Sequence, residues 1–450
     1  MGRSESSQVA SIAERGQSDI VVEGRREDLQ TARACDGHVA LTGFQGSGAG
    51  SSALCLLALL LCAAGPLEAA WSTPRRIGSN DGDFTQPEIA VEGRTVHVAY
   101  RPGGFGVSYL RSEDCGDTWF EPISVPSTFG SGLSMAISEA VVHIVWGEFA
   151  SLLGFADSRQ IFHVQSWDGG QTWSRKQRIS NATQWNGTPS LVALGYDLWV
   201  AWSRGEIVSS RFRPTSIVVA RSSSGGQRWR RRLVSRDAPG AFSPRIALDR
   251  SSAPEKRRLH LVWEREVAGA DPRLFRELMH QETRDAGKSW SEPVRLNETI
   301  GLGASALVAM RGAVHVVWQV LPGFPRTRSD VFYRRKVRNK PWGHEPALNA
   351  TGFAARGKLA GSDRTLWAAW VNSQISTAGG ISVRRSRNGG KRWNRQQLLS
   401  TTGGLPAIAV PTDPVGECAG TAHVVYHGRA IENGVTRYGL VYQRHPKKLH

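Results

Sequence analysis

After residue 70 this 450-residue chain has no amphipathic helical stretch of useful length, which excludes helical bundles and alternating α/β folds. No apolar run reaches the roughly twenty residues that cross a bilayer. The longest, Ala53 to Ala64, has twelve. Cysteine is sparse: there are five, and only Cys115 and Cys418 lie beyond residue 70. Acidic residues are outnumbered, 39 against 56 Lys and Arg, for a formal charge of +17. The first seventy residues hold five Arg and eight acids, so residues 71–450 carry +20. Such a surface favours anionic partners such as acidic glycans, lipopolysaccharide or nucleic acid, although charge also keeps sheet edges from pairing. Arg228, Arg230, Arg231 and Arg232, flanking one strand, fit that second role. No recognisable nucleic-acid module is present, so nucleic acid is not expected as a partner.

Sixteen Trp and forty-nine Gly suit short strands and many turns. One octet recurs. Ser166 to Trp173 reads S-W-D-G-G-Q-T-W, and Ser112 to Trp119 keeps its key positions, with Asp114 and Trp119 matching Asp168 and Trp173. Thr283 to Trp290 retains Asp285 and Trp290; Ser386 to Trp393 has Asn388 before Trp393; Ser222 to Trp229 has Ser224. The Asp or Asn oxygen accepts N–H groups of a tight turn, Gly takes positive φ, and Trp anchors the following strand.

The octets sit in a longer repeat that starts at Trp71. Each unit opens with an apolar strand centred on a small residue: Ala90, Ala136, Ala193, Ala247, Ala309, Ala360 or Ala409. A second strand follows, apolar on both faces, as in Val142-His143-Ile144-Val145-Trp146. A third runs into the octet and a fourth leaves it. Seven second strands imply seven units. The last, from Leu405 to about Tyr442, lacks a fourth strand, and Trp71-Ser72-Thr73-Pro74-Arg75-Arg76-Ile77 has the spacing to supply it. The expectation is a β-propeller of seven four-stranded blades over residues 71–444, closed by its N-terminal strand, with a basic tail at 445–450. His97, His143, His260, His315 and His423 recur at one place in different units, so they read as packing and no metal site is expected.

Residues 1–70 read as a leader: 1–50 lack a hydrophobic period, and the apolar core 53–64 with small residues after it matches a signal peptide. A secreted or periplasmic protein is expected. Leu61 before Cys62 argues against a lipoprotein, and no stable membrane span is expected.

The octets match Asp-boxes, also called bacterial neuraminidase repeats, and the chain from Trp71 to about Tyr442 resembles the sialidase superfamily of propellers. That family has six blades, so six is the alternative count. The resemblance implies a substrate face at the blade ends away from the octets, where Arg101, Arg204, Arg265 and Arg429 follow second strands and form an Arg-rich rim suited to carboxylates. Arg245 opens the fourth unit, whose loop Glu264 to Arg273 holds the best concentration of acid/base chemistry. Glu264 and Asp271 are the catalytic candidates, and Arg101, Arg204, Arg245, Arg265 and Arg429 the substrate-binding ones. Ordinary sialidase chemistry also needs an Arg-Ile-Pro motif, an acid Asp in the first mouth loop and a Tyr–Glu pair. Here the first place reads Thr85-Gln86-Pro87, Arg101 to Leu110 holds no carboxylate, and no Tyr–Glu pair can be placed.

Two function classes follow. One is an exported propeller that binds an anionic glycan or protein without ordinary sialidase catalysis. The other is an exo-α-sialidase-like hydrolase with a divergent site. Neither implies a cofactor. Finally, Cys115 and Cys418 fall at the octet end of the first and seventh units, neighbours in a closed ring. They are either a disulfide across the seam or two unrelated thiols.

Overall fold

Strands form where apolar runs lie between tight turns. Thr95–Arg101 buries its five central residues, so both faces of the second strand are covered, and Arg258–Glu266 does the same. The computed structural model describes residues 70–446 except 79–84, 103–105, 129, 150–158, 182–183, 209–210, 236–239, 268–275, 299–304, 321–328, 351, 374–378 and 414–415, together with four strands between residues 12 and 41.

Those four strands belong to a separate unit, Met1–Ala69. Ile12–Arg15, Asp19–Val22, Gln30–Cys35 and His38–Leu41 pair in sequence order as an antiparallel sheet. The reading of residues 1–50 did not anticipate these strands. The apolar core 53–64 lies outside the described residues.

The unit Ala70–His450 is a β-propeller of seven antiparallel blades. Blade 1 comprises Thr85–Glu92, Thr95–Arg101, Val107–Ser112 and Ile123–Val125. Blade 4 comprises Phe242–Asp249, Arg258–Glu266, Arg276–Thr283 and Val294–Arg295. First strands touch their neighbours in cyclic order, and the seventh, Gly403–Ala409, touches the first, Thr85–Glu92. In blade 5 the fourth strand is reduced to two isolated bridges, Phe332 to Ala347 and Lys336 to Trp342. Blade 3 gains an extra short strand, Trp185–Asn186, on its long second strand Asp197–Val208.

The propeller closes its ring with its own first strand. Arg75–Arg76 pairs with Val441 and Tyr442 of the last strand, Val435–His445. The Ser72 and Ile77 amides donate to the Arg444 and Leu440 carbonyls, both at 2.8 Å. His445, placed above in the basic tail, is the last residue of that strand, buried 4.9 Å from Trp367 and 5.3 Å from Trp71 between ring centroids. Residues 447–450 lie outside the described residues. Cys115 of blade 1 and Cys418 of blade 7 are joined by a disulfide, their Cα atoms 5.6 Å apart.

The octets close the turns and lock neighbouring blades together. In Ser112–Trp119, Asp114 Oδ1 accepts the Thr118 amide at 2.8 Å and the Ser112 hydroxyl at 2.7 Å, while Ser112 Oγ accepts the Gly116 amide at 2.8 Å. Asp168, Asp285 and Asn388 repeat the pattern. Burial opposes ionisation of Asp114, but bonds from Thr118 and Ser112 outweigh it and hold the carboxyl at about 2. An aromatic or histidine ring of the preceding blade then meets the octet Trp edge-on: Tyr109 and Trp173 at 5.2 Å, His163 and Trp229 at 5.4 Å, Tyr333 and Trp393 at 5.1 Å, Tyr442 and Trp119 at 4.9 Å. The recurrent second-strand histidines orient these rings. His97, His315 and His423 each place Nδ1 within 2.8 Å of the Oη of Tyr109, Tyr333 and Tyr442 respectively.

Two predictions follow from this scaffold. Reducing the disulfide opens a closed loop of 303 residues, so chain entropy puts the expected loss at about 5 kcal/mol. Denaturant midpoints of wild type and Cys115→Ser, compared under oxidising conditions, check it; equal midpoints would leave the bridge without a stabilising role. The second concerns pH. Burial, first among the causes in each case, depresses His97, His163, His315 and His423 to about 3 and His143 and His260 to about 4. The unfolded chain takes up these protons near pH 6.5, the folded chain only at 3 to 4. Their contribution is therefore complete above about pH 6.5 and lost as pH falls toward 4, at up to ~1.4 kcal/mol per histidine per pH unit. Thermal melts should drop steeply between pH 7 and 5, and a flat profile there would contradict the assignment.

Candidate functional site

The octet turns and the first hairpins share one end of the ring. The Cys115 amide donates to the Arg94 carbonyl at 2.9 Å, and Gly225 to Tyr196, Ala286 to Arg257 and Gly389 to Arg364 do likewise. The opposite end, the mouth, is where second strands run out.

A recurrent irregularity shapes the mouth. The first strands of blades 1, 2, 4, 6 and 7 each shift register just before the residue that lies two positions ahead of the conserved alanine: Glu88, Ser134, Arg245, Lys358 and Ala407. Gly132, Ser243, Arg356 and Leu405, four positions ahead of their alanines, have positive φ of 65°, 48°, 56° and 52°. Such bulges bend a strand and re-aim its side chains, and three of these four residues carry a Cβ that resists the conformation.

The axis is hollow. At the octet end the cavity measures about 560 Å³, walled by inner-strand alanines and aliphatics, with Glu92, Arg250, Arg311 and Asp363 at its rim. Formal charge there cancels. At the mouth it continues as pockets of about 230 and 110 Å³ that bring Glu88, Arg245, Lys358 and Arg356 together. Lys358 Nζ lies 3.5 Å from Glu88 Oε1. Burial lowers the Arg245 pKa, against the pull of Glu88 and Glu264. Three cations against one lining carboxylate make this smaller space the better anion site, although the octet-end cavity is larger.

No family model matches the sequence, and no curated protein matches it. Among solved structures, a PL25 ulvan lyase bound to -[GlcA(1-4)Rha3S]- matches with TM-score 0.54 and 12% identity, covering 82% of this chain and 95% of that one. The lyase solved by itself gives 0.53 at the same identity and coverage. A leech intramolecular trans-sialidase covers 95% of this chain and 82% of its own at 10% identity, with a TM-score of 0.46 that is too low to bear an argument. The likeness is one of fold.

The candidate residues separate into groups. Arg245 lines the mouth pockets. Glu264 is 4% exposed and is not among the residues lining the axial cavities; Oε2 accepts from Arg276 Nη1 at 2.7 Å, and Oε1 receives no hydrogen bond. Burial raises its pKa, against Arg276 and Arg245. Its carboxylate therefore backs Arg245 and Arg276 from behind. Asp271 lies outside the described residues. Arg265 is engaged by Glu277, with Nη2 at 2.6 Å from Oε2. Arg204 Nη2 donates to Ser216 Oγ at 3.3 Å. Arg429 is exposed on the long last hairpin, its guanidinium 5.5 Å from the Tyr438 ring centroid. Arg101 is half-buried and, after burial itself, its charge helps lower Arg159 to about 10. The rim arginines thus do not converge as a set.

Sequence reasoning missed Glu88, Lys358 and Arg356. For Glu88 and Lys358 the signal was present: two places before the repeated alanine, the units read Glu, Ser, Leu, Arg, Leu, Lys and Ala.

Replacing Glu264 removes a buried carboxylate that pairs with half-buried Arg276. Glu264→Ala should lower unfolding free energy by about 3 kcal/mol. Urea denaturation measures it; a loss under about 1 kcal/mol would show that the pair behaves like an exposed one.

Proposed function

We propose that this propeller is exported and binds an anionic polysaccharide at the mouth of its axis, without ordinary sialidase catalysis. The observation that carries the reading is the convergence of Arg245, Lys358 and Arg356 from blades 4 and 6 on a pocket whose lining carboxylate is Glu88. A carboxylate or sulfate ester entering there meets pre-placed donors in a partly desolvated setting. Lys358 is already held by Glu88, so the pocket keeps an ordered cation before ligand arrives. The PL25 lyase that shares the fold was solved with a uronate-bearing, sulfated sugar chain, which accords with this chemistry.

Against catalysis stand the residues themselves. Glu264 is committed to an internal ion pair, and Thr85-Gln86-Pro87 stands where sialidases carry Arg-Ile-Pro. In our reading the octets are Asp-boxes, serving as blade fasteners that tell nothing about turnover. Export is supported by the signal-like run 53–64 and by the Cys115–Cys418 bridge, which suits an oxidising compartment.

The test is titration of the purified protein with uronate-bearing oligosaccharides against neutral dextran oligosaccharides. Arg245→Ala and Lys358→Ala should each weaken uronate binding tenfold or more, as loss of a charged hydrogen bond of about 2 kcal/mol implies. A fluorogenic sialoside should release no fluorophore. Equal affinity for charged and neutral sugars, or sialoside turnover abolished by Glu264→Gln, would overturn the proposal.

A further inference from the structure

A second concentration of positive charge lies on the opposite face, between blades 4 and 5. A groove of about 170 Å³ is lined by Arg258, Arg284, Lys336, Arg338 and Lys340, with Glu282 as its carboxylate. These five cations come from different elements: Arg258 starts the second strand of blade 4, Arg284 sits in its octet, and the other three belong to the third strand and following turn of blade 5. Glu282 is already engaged. Arg284 holds its Oε1 through Nε at 3.0 Å and Nη2 at 2.7 Å, and Lys336 Nζ lies 3.9 Å from Oε2. Among the described residues no carboxylate lies within 4.0 Å of the side-chain nitrogens of Arg258, Arg338 or Lys340.

The local backbone accounts for the crowding. Blade 5 has no octet, so no Asp caps its turn. Lys340 N instead donates to Val337 O at 2.9 Å, Asn339 takes φ 60°, and Arg338 N donates to Gly312 O at 2.8 Å. The turn that stands in the octet's place is basic, and it lines the same groove as Arg284 of the neighbouring octet. Arg258 is depressed by burial first and then by Arg338 and Arg284, with Glu282 and Asp249 pulling the other way, so cations of both blades act on one another across the groove. Like charges gathered around a groove with one occupied carboxylate are relieved by an external anion.

We propose that this blade 4–5 groove is a binding site for sulfate-ester groups of a sulfated polysaccharide, separate from the axial mouth. Its three unmatched cations provide directed N–H donors for tetrahedral oxyanions. The disulfide at the ring seam suits an oxidising compartment, which favours a glycan over a nucleic acid.

The experiment titrates a heparin-derived hexasaccharide, its desulfated form and a short single-stranded DNA into the full chain over a range of salt concentrations. Arg258→Ser/Arg338→Ser should weaken hexasaccharide binding at least tenfold and flatten its salt dependence by roughly 1.5 to 2 in log–log slope. Arg230→Ser/Arg232→Ser, equal in charge change and exposed on blade 3, should change affinity less than twofold. Lys340→Glu, at an exposed turn, repeats the test should the double variant fail to fold. A loss on Arg245→Ala/Lys358→Ala with no loss on the groove variants would overturn the groove while leaving the mouth intact. Equal loss in the blade 3 control, preference for DNA, or no binding of the sulfated probe would also overturn it.

Discussion

The ring depends on one kind of contact at its seams: a flat side chain of one blade set against the octet, or the octet-like turn, of the next. Tyr109, His163, Tyr333 and Tyr442 make it directly against octet rings, and His280 makes it with Trp342, 5.0 Å away, although blade 5 lacks an octet. Where a second-strand Trp replaces His, the indole does the work: Trp199 donates to the Ala286 carbonyl at 3.0 Å, and Trp367 meets Trp71 at 5.3 Å. Each such pair adds about 0.5–1.5 kcal/mol beyond its buried area. The contact also explains the octet glycine. A Cβ on Gly116 or Gly390 would sit 1.8 Å from the incoming tyrosine hydroxyl, and one on Gly170 would sit 2.0 Å from Tyr109 Cε1. The motif is thus a receptor for the preceding blade as much as a turn.

Because the lock uses buried neutral imidazoles, the fold has a defined chemical weakness. His143 stacks on His163 with Nδ1 and Nε2 at 3.2 Å, and His260 on His280 at the same distance. Either pair can share one proton in its hydrogen bond but cannot hold two charges without strong repulsion at that spacing. The seam between blades 7 and 1 is reinforced more heavily than any position within a continuous blade requires. There Arg444 donates to the Cys115 carbonyl at 2.9 Å and pairs with Asp117 at 2.9 Å, beside the disulfide and the Tyr442–Trp119 contact. The break in chain continuity lies inside blade 7, where Arg75–Arg76 meets Val435–His445 through hydrogen bonds, and the Arg444, disulfide and Tyr442–Trp119 contacts tie that blade to blade 1.

The architecture was legible because it is written in repeats. The seven second strands gave the blade count, and Trp71-Ser72-Thr73-Pro74 gave the closure, because hydrophobic period and turn chemistry agree in both. The site was less legible. The rim residues after the second strands looked alike in sequence, yet Arg265 turns to Glu277 and Glu264 to Arg276, pairings set by a facing third strand that periodicity does not reveal. Arg356 was hidden because it takes a left-handed φ in a bulge that a hydrophobic period does not reveal. The strands in 12–41 were missed because Ile12–Arg15 and Gln30–Cys35 show no run of apolar and polar alternation that stands out from the polar segment around them.

The inner strand therefore divides its labour by position. The repeated alanines wall the octet-end cavity. Two residues nearer the mouth the axial space narrows to smaller pockets, and the bulge has relaxed the ladder. Charge can enter there without disturbing blade packing, as Glu88, Arg245 and Lys358 do from blades 1, 4 and 6, while Leu191, Leu307 and Ala407 keep the remaining wall apolar. Separation of the locking residues, which sit at the octet end and the outer layers, from the axial residues at the mouth lets the binding surface change chemistry while the seams stay fixed. A scaffold of this kind explains why fold is shared at 12% identity without any agreement in site residues being required.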